Sequence, residues 1–169
     1  MHIALVTPAQ HESLVNLLCE LNAYYRRPDD PQPAPTRDAV RVHLMDKLLS
    51  GQAAVQLVVA SRADDTVVGL AALVLLHSLV DVSPDHSGQC LVKELFVCEC
   101  ARSEGAGRAL MAWVARYAKT EGCGRMDWNV MATNHRGIAF YESLGASRVA
   151  DRLSYRLGRA AMDALAATG

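Results

Sequence analysis

Between a run of apolar residues and a helical pattern, the chain reads Leu95-Phe96-Val97-Cys98-Glu99-Cys100-Ala101-Arg102-Ser103-Glu104-Gly105-Ala106-Gly107-Arg108-Ala109-Leu110. A strand here passes through a short turn into a helix whose first residues include two glycines, and such a turn can hold an anion. Glycine lets the backbone approach closely, and the free N–H groups of a first helical turn, with the positive end of the helix dipole, stabilise negative charge there. Arg102 and Arg108 would add charge-assisted contacts. The same glycines would equally serve only to ease a tight turn, so the segment by itself leaves both uses open. Of two other phosphate motifs, the Gly-Lys-Ser/Thr of a P-loop occurs nowhere. A dinucleotide fingerprint stays a distant alternative: Asp127 follows Gly107 by twenty residues, but Leu110 fills the slot of the third Gly or Ala and the turn from Cys98 to Gly105 is long.

The other reactive side chains are cysteines and histidines. Cys19, Cys90, Cys98, Cys100 and Cys123 are odd in number and include no Cys-x-x-Cys pair, which argues against a disulfide framework and against zinc. They are expected to be reduced and mostly buried as small hydrophobes. Cys98-Glu99-Cys100 could chelate or react, but one intervening residue at a strand end is a weak signal. The six histidines are scattered, and none is assigned to a metal.

The elements that must position these groups follow from periodicity. Leu14, Leu17, Leu18, Leu21 and Tyr25 recur at helical spacing, and after the proline-rich loop 28–35, Thr36 caps a second helix through Val40, Leu44 and Leu48 that Gly51 stops. Residues 53–60 and 67–79, separated by Arg62-Ala63-Asp64-Asp65-Thr66, read as an antiparallel hairpin, and 91–98 as a third strand. A helix from about Gly105 to Glu121 carries Leu110, Trp113, Val114, Tyr117 and Ala118 on one stripe. A strand over 125–131, a short helix from Asn134 to Gly145 and a last strand alternating through Leu153, Tyr155 and Leu157 complete the order βααβββαβαβ. The crossover from 91 to 131 makes two strands parallel within an otherwise antiparallel sheet.

Composition narrows the classes. With 169 residues, 51% of them apolar, the whole chain, 1–169, is expected to be one globular domain with a full core. Seventeen Lys plus Arg against 18 Asp plus Glu leave a net charge of -1, so no nucleic-acid partner is expected. The longest apolar run, Val67 to Leu76 broken only by Gly69, is about half of the ~20 residues a membrane span requires, so no membrane partner is expected either. The first residues lack the basic start, apolar stretch and cleavage site of a signal peptide, and a cytoplasmic location is the default.

Arg102-Ser103-Glu104-Gly105-Ala106-Gly107 resembles the Gln/Arg-x-x-Gly-x-Gly/Ala signature of the GNAT acetyltransferase superfamily. A second block, Asn134 to Ala146 with Phe140-Tyr141 and Gly145, looks like that family's Asn-x-x-Ala-x-x-Phe-Tyr-x-x-x-Gly segment with a one-residue shift between Asn134 and Ala139. Lys93-Glu94-Leu95-Phe96-Val97 resembles the fourth strand and Asp127-Trp128-Asn129-Val130 the fifth, so the likeness covers nearly the whole chain. It implies the GNAT fold, an α/β (α+β) arrangement with a central mixed, mostly antiparallel sheet of six to seven strands flanked by helices. It also implies acetyl-coenzyme A as cosubstrate, with no metal, held by Phe96, Val97, Arg102, Ser103, Glu104, Gly105, Ala106, Gly107, Arg108, Asn134 and Tyr141. Ser103 stands where the family often has Gly, Glu104 where Lys or Arg is common, and Lys93 in one place of an acidic pair that leaves only Glu94.

On this resemblance, Glu94 is the candidate base that takes the proton of an ammonium whose ordinary pKa is near ~10, and Tyr141 the general acid for the departing thiolate. The backbone N–H near Val97 would face the thioester oxygen. Glu94 as a paired or solvated carboxylate, Tyr141 as a packing aromatic and Asn134 as an N-cap are the competing structural uses. Likeness is greatest to the diamine, polyamine and thialysine-type branch, in which the first two helices wall the acceptor site. Tyr24, Tyr25, Asp29 and Asp30 are therefore candidates for holding a cationic small-molecule amine. The last strand and the apolar tail 160–167 would suit a homodimer. A coenzyme-binding sensor without turnover and a protein or peptide N-acetyltransferase are the alternative functions.

Overall fold

Val, Leu and Ala crowd residues 57–60 and 67–74, and in the computed structural model, which describes residues 1–168, these become the centre of a sheet. Its strands are β1 (His2–Leu5), β2 (Gln56–Ser61), β3 (Val67–His77), β4 (Gly88–Val97) and β5 (Cys123–Trp128), in the spatial order β1-β2-β3-β4-β5. The first four run antiparallel to their neighbours, and β5 lies parallel to β4. Both central strands are buried along most of their length, so they read as continuous apolar runs instead of alternating ones.

Three helices belong to the same compact unit, Met1–Asn129: α1 (His11–Tyr25), α2 (Arg37–His43, prolonged by a π-turn over Leu44–Leu48) and α3 (Ala106–Thr120). Thr36 caps α2, its hydroxyl accepting from the N–H of Ala39 at 3.2 Å. α1 buries Leu14, Val15, Leu17 and Leu18, and α3 buries Leu110, Met111, Val114 and Ala118. Each large one of these contributes about 1.5–3 kcal/mol relative to exposure. α3 lies so close to β3 that a Cβ on Gly69 would meet Leu110 Cδ1 at 3.1 Å.

A second compact unit begins at Val130 and holds α4 (His135–Ser143) and α5 (Arg159–Ala166). Two expectations change here. The described residues hold five strands, fewer than six to seven, because Leu153 to Leu157 is irregular and well exposed, with Tyr155 at 88%. Alternation supplies the period of a strand, but a strand also needs a ladder partner, and no described strand pairs with this segment. The tail, read only as apolar, is a helix after Gly158, with an Arg159–Asp163 ion pair one turn apart at 2.9 Å.

The cysteine expectation is also corrected. Cys98 and Cys100 are joined in a disulfide, with Cα atoms 5.4 Å apart, while Cys19, Cys90 and Cys123 are free. The reason is local: β4 ends in a 3₁₀ turn over Glu99–Ala101 that folds the two side chains toward each other.

Candidate active site

The site grows from an irregularity in β4. Ala72 of β3 lies opposite Glu94, but the next residue, Leu73, lies opposite Val92, so Lys93 is an extra residue and forms a β-bulge. Directly opposed residues share a face. Val92 therefore points with Leu73, Ala71 and Gly69 toward α3, whereas Glu94 and Phe96 point with Ala72 and Leu70 toward α1. Without the bulge, Val92, Glu94 and Phe96 would all face α3. The extra residue thus takes a carboxylate out of the α3 core and delivers it to the α1 side.

There Glu94 is half-buried, and the Tyr25 hydroxyl, on the last residue of α1, donates to its Oε1 at 3.0 Å. Burial pushes the Glu94 carboxyl above the ordinary carboxylate range, while the Tyr25 hydrogen bond and the Leu95 backbone pull it down. Tyr24 packs against Phe96, with ring centroids 5.8 Å apart, and against Tyr25 at 5.3 Å. The Arg102 guanidinium lies 5.7 Å from the Tyr24 ring centre and 5.9 Å from that of Phe96, and its Nε donates to the Val97 carbonyl at 3.2 Å. Its guanidinium therefore braces β4 against α1.

Next to this cluster the sheet opens. The β4–β5 ladder has its last pair at Val92↔Trp128, whereas β4 continues to Val97 bonded to β3. Just beyond, Arg102 is extended, Ser103 takes φ 68° and Gly105 takes φ 85°, and α3 begins at Ala106. The left-handed conformation explains a glycine at 105. No side chain caps this helix start and no acidic residue sits in its first turn, so the N–H groups of Ala106, Gly107 and Arg108 head a fifteen-residue helix in the way an anion requires. Ser103 and Glu104 are exposed, Glu104 directed to solvent, and Arg108 is exposed on the first turn.

The remaining candidates are placed as follows. Asp29 is exposed, and Asp30 Oδ1 accepts from the Gln32 N–H at 3.0 Å, within its own loop. Asp127 accepts from Gln89 at 2.7 Å and from Arg125 at 2.9 Å, and this engagement on a mixed sheet removes the dinucleotide alternative. In the second unit, Asn134 is the N-cap of α4, its Oδ1 accepting from the Gly137 N–H at 2.9 Å. A Cβ on residue 137 would meet the Asn134 amide at 2.7 Å, so the glycine makes room for the cap. Tyr141 is half-buried on α4, with its ring 5.2 Å from that of Phe140. Among the described residues no group of three or more His, Cys, Asp or Glu is placed to hold a metal ion, and no helix is long and apolar enough to cross a membrane.

Sequence reasoning did not find the bulge, the Tyr25–Glu94 contact or the inward turn of Arg102. The one available signal was Lys93-Glu94, two adjacent charges inside a strand whose other residues are uncharged.

An open strand edge thus leads to a helix start that no side chain caps, the arrangement in which backbone N–H groups can accept an anion. Comparison gives the family: residues 16–146 match the model of the Acetyltransferase (GNAT) family, and the chain belongs to it. Members of this family use acetyl-coenzyme A. The integron cassette protein VCH_CASS6 of V. cholerae superposes with a TM-score of 0.85 at 30% identity, covering 98% of this chain and 96% of that one. The ribosomal-protein-alanine N-acetyltransferase of Brucella melitensis biovar Abortus 2308 shares the fold, with a TM-score of 0.68 at 23% identity over 94% and 99% of the two chains. A stretch of 76 residues, 45% of this chain, is 37% identical to the L-ornithine N5-acetyltransferase NATA1 of Arabidopsis thaliana, and it spans 32% of that relative, about a third of its length.

Proposed function

We propose that this protein transfers the acetyl group of acetyl-coenzyme A to a primary amine of a small molecule, a polyamine or an amino-acid-like compound, by direct attack within a ternary complex. The observation that carries this reading is the half-buried Glu94 carboxylate, turned to the α1 side of β4 next to the open strand edge. A cationic acceptor suits a carboxylate that no described ion pair neutralises, and the ring faces of Tyr24 and Tyr25 beside it add to the attraction. The partial likeness to an ornithine acetyltransferase supports the same class of acceptor.

In the reaction, Glu94 accepts the proton of the acceptor's ammonium, directly or through water. The neutral nitrogen bonds to the thioester carbonyl carbon, the carbon–sulfur bond breaks, the nitrogen sheds its second proton to water as the amide forms, and the Tyr141 hydroxyl gives its proton to the leaving thiolate and regains one from water. Phe96, Val97, the turn from Arg102 to Arg108 and Asn134 hold the donor. Backbone N–H groups at the head of α3 take the pyrophosphate, for which an uncapped glycine start is fitted.

The test is release of free coenzyme A from acetyl-coenzyme A by the purified protein against diamines, polyamines, ornithine- and lysine-like amino acids, and short peptides. Turnover confined to the small amines establishes the reading. Turnover confined to peptides would transfer the protein to the protein-acetylating class, and tight donor binding with no turnover on any acceptor would make it a sensor.

A further inference from the structure

We propose that Tyr25 is a positioning residue for Glu94: as the last residue of α1, it fixes one carboxylate oxygen through its hydroxyl and so sets the direction from which the acceptor amine is deprotonated. The inference rests on the reading of Glu94 as the base and adds to it a residue that the family signatures do not cover. Its ground is geometric. The hydroxyl donates to Oε1 across 69 residues of sequence, at 3.0 Å, and with the Tyr24–Phe96 packing it ties the end of α1 to the second half of β4.

Tyr25 is itself held. Its ring packs edge-on against Tyr24, Tyr24 packs on Phe96, and Arg102 lies over both of the latter while bonded to the Val97 carbonyl. The chain leaves the helix immediately afterwards, with Arg26 extended at ψ 134°, so Tyr25 is the last position whose backbone the helix fixes. A hydroxyl carried by a braced helix end orients a carboxylate more sharply than one carried by a loop would.

Of the side chains around Glu94, the Tyr25 hydroxyl bonds to its carboxylate and, with the Leu95 backbone, opposes the upward push of burial. On that face β3 offers Leu70 and Ala72, neither of them ionisable, and its His77 lies opposite Gly88 at the other end of β4. On β5, Arg125 and Asp127 are bound to each other and to Gln89. On α1, Glu20 accepts from the Glu99 N–H, beyond the end of β4, and His43 of α2 lines a groove with Leu18 and Leu21. Lys93, the neighbour on β4, is exposed, and Arg102 lies over the rings of Tyr24 and Phe96. A hydroxyl hydrogen bond favours the ionised carboxylate, and removing it pushes the carboxyl further up.

The experiment is Tyr25→Phe in the full chain, with Glu94→Gln alone and combined with it. Expected for Tyr25→Phe are a kcat reduced roughly 10-fold, an unchanged KM for acetyl-coenzyme A, and an acidic limb of the kcat/KM profile moved to higher pH. In the Glu94→Gln background the second substitution should have no further effect on rate. A Tyr25→Phe protein with parental kcat and parental acidic limb overturns the proposal, as do rate losses that simply multiply in the double variant. Carbon-13 NMR titration of the Glu94 carboxyl separates the two readings. An upward shift in Tyr25→Phe shows that the hydroxyl holds the carboxylate, whereas intact turnover in Glu94→Gln overturns Glu94 as the base and with it the role of that hold in deprotonation. No shift overturns the positioning role whatever the rates.

Discussion

From Gly88 to Val92, β4 is bonded to a strand on each side; from Lys93 to Val97 it is bonded to β3 alone. The first half settles its polar groups among themselves, Gln89, Arg125 and Asp127 forming a closed triangle of hydrogen bonds at 2.7 to 3.0 Å. The second half keeps Glu94 half-buried with a hydroxyl for company, and among the described residues no ion pair includes it. One residue, the bulge at Lys93, divides the two. A carboxylate inside the doubly paired region is structural because its charge is answered there. The carboxylate past the bulge has hydrogen-bond donors and, among the described residues, no ion-pair partner, which is the setting in which a cationic ligand would be bound.

The largest effect should come from the second half. Glu94→Gln keeps the shape and removes the base, and kcat is expected to fall by about 100-fold or more, with donor affinity by calorimetry unchanged. A variant with parental kcat on the best acceptor would show that the bulge serves packing only. Next in size is Gly105→Val. A Cβ at this position meets nothing within 4 Å, so the damage is confined to φ 85°, which a β-branched residue resists. Strain of about 1–2 kcal/mol predicts donor binding weakened roughly 10-fold, with the fold intact by circular dichroism. Unaltered donor affinity would remove the helix start from the binding site.

This division explains what could be read in the sequence. The glycine turn, the stripe of α3 and the order of the first four strands depend on residues within one or two turns of each other, and local spacing recovers them. The bulge does not show, because a strand of alternating burial reads through an inserted residue as if it were continuous. Tyr25 and Glu94 lie 69 residues apart, and nothing local brings them together. Alternation at Leu153, Tyr155 and Leu157 misled for the converse reason, since the pattern was present but the partner strand was not. The Cys98–Cys100 bond depends on a 3₁₀ turn that composition does not announce.

In the first half the comparison predicts stability without activity. Asp127→Ala leaves Gln89 and Arg125 without their acceptor and should cost about 1–2 kcal/mol, lowering Tm by roughly 3–6 °C, while kcat/KM per folded molecule stays parental. Glu94→Gln should do the reverse. The folded carboxyl lies above its unfolded value, so folding loses stability as pH rises from the ordinary carboxylate range through that raised value, and the loss persists at neutral pH. The amide has no charge to bury. The variant is therefore expected to melt slightly above the parent at neutral pH, with the difference vanishing below the carboxylate range. An offset that is the same at both ends of that range would mean that the ionised form is not the one burial opposes.

The smallest expected effect concerns the two ends of β4 and their cysteines. Cys90 lies in the doubly paired half, and burial pushes its thiol up to about 11, the nearby Cys123 adding to the effect. Only the thiolate reacts with a disulfide reagent, so Cys90 should stay unlabelled at pH 8 until the protein is unfolded, and buried Cys123 should behave alike. Cys19, half-exposed on α1, should label in the native state. Cys98 and Cys100 should label only after reduction, and exposed Cys100 gives a mild reductant access to their bond. Mass spectrometry of the labelled native protein before and after such treatment therefore reads both halves of the strand at once. New labels confined to Cys98 and Cys100 mean that the strand's open end can be reduced while its paired half stays closed. Labelling of Cys90 at the same time would mean that the β4–β5 ladder opens along with the turn, and the boundary at Lys93 would then not be one of stability.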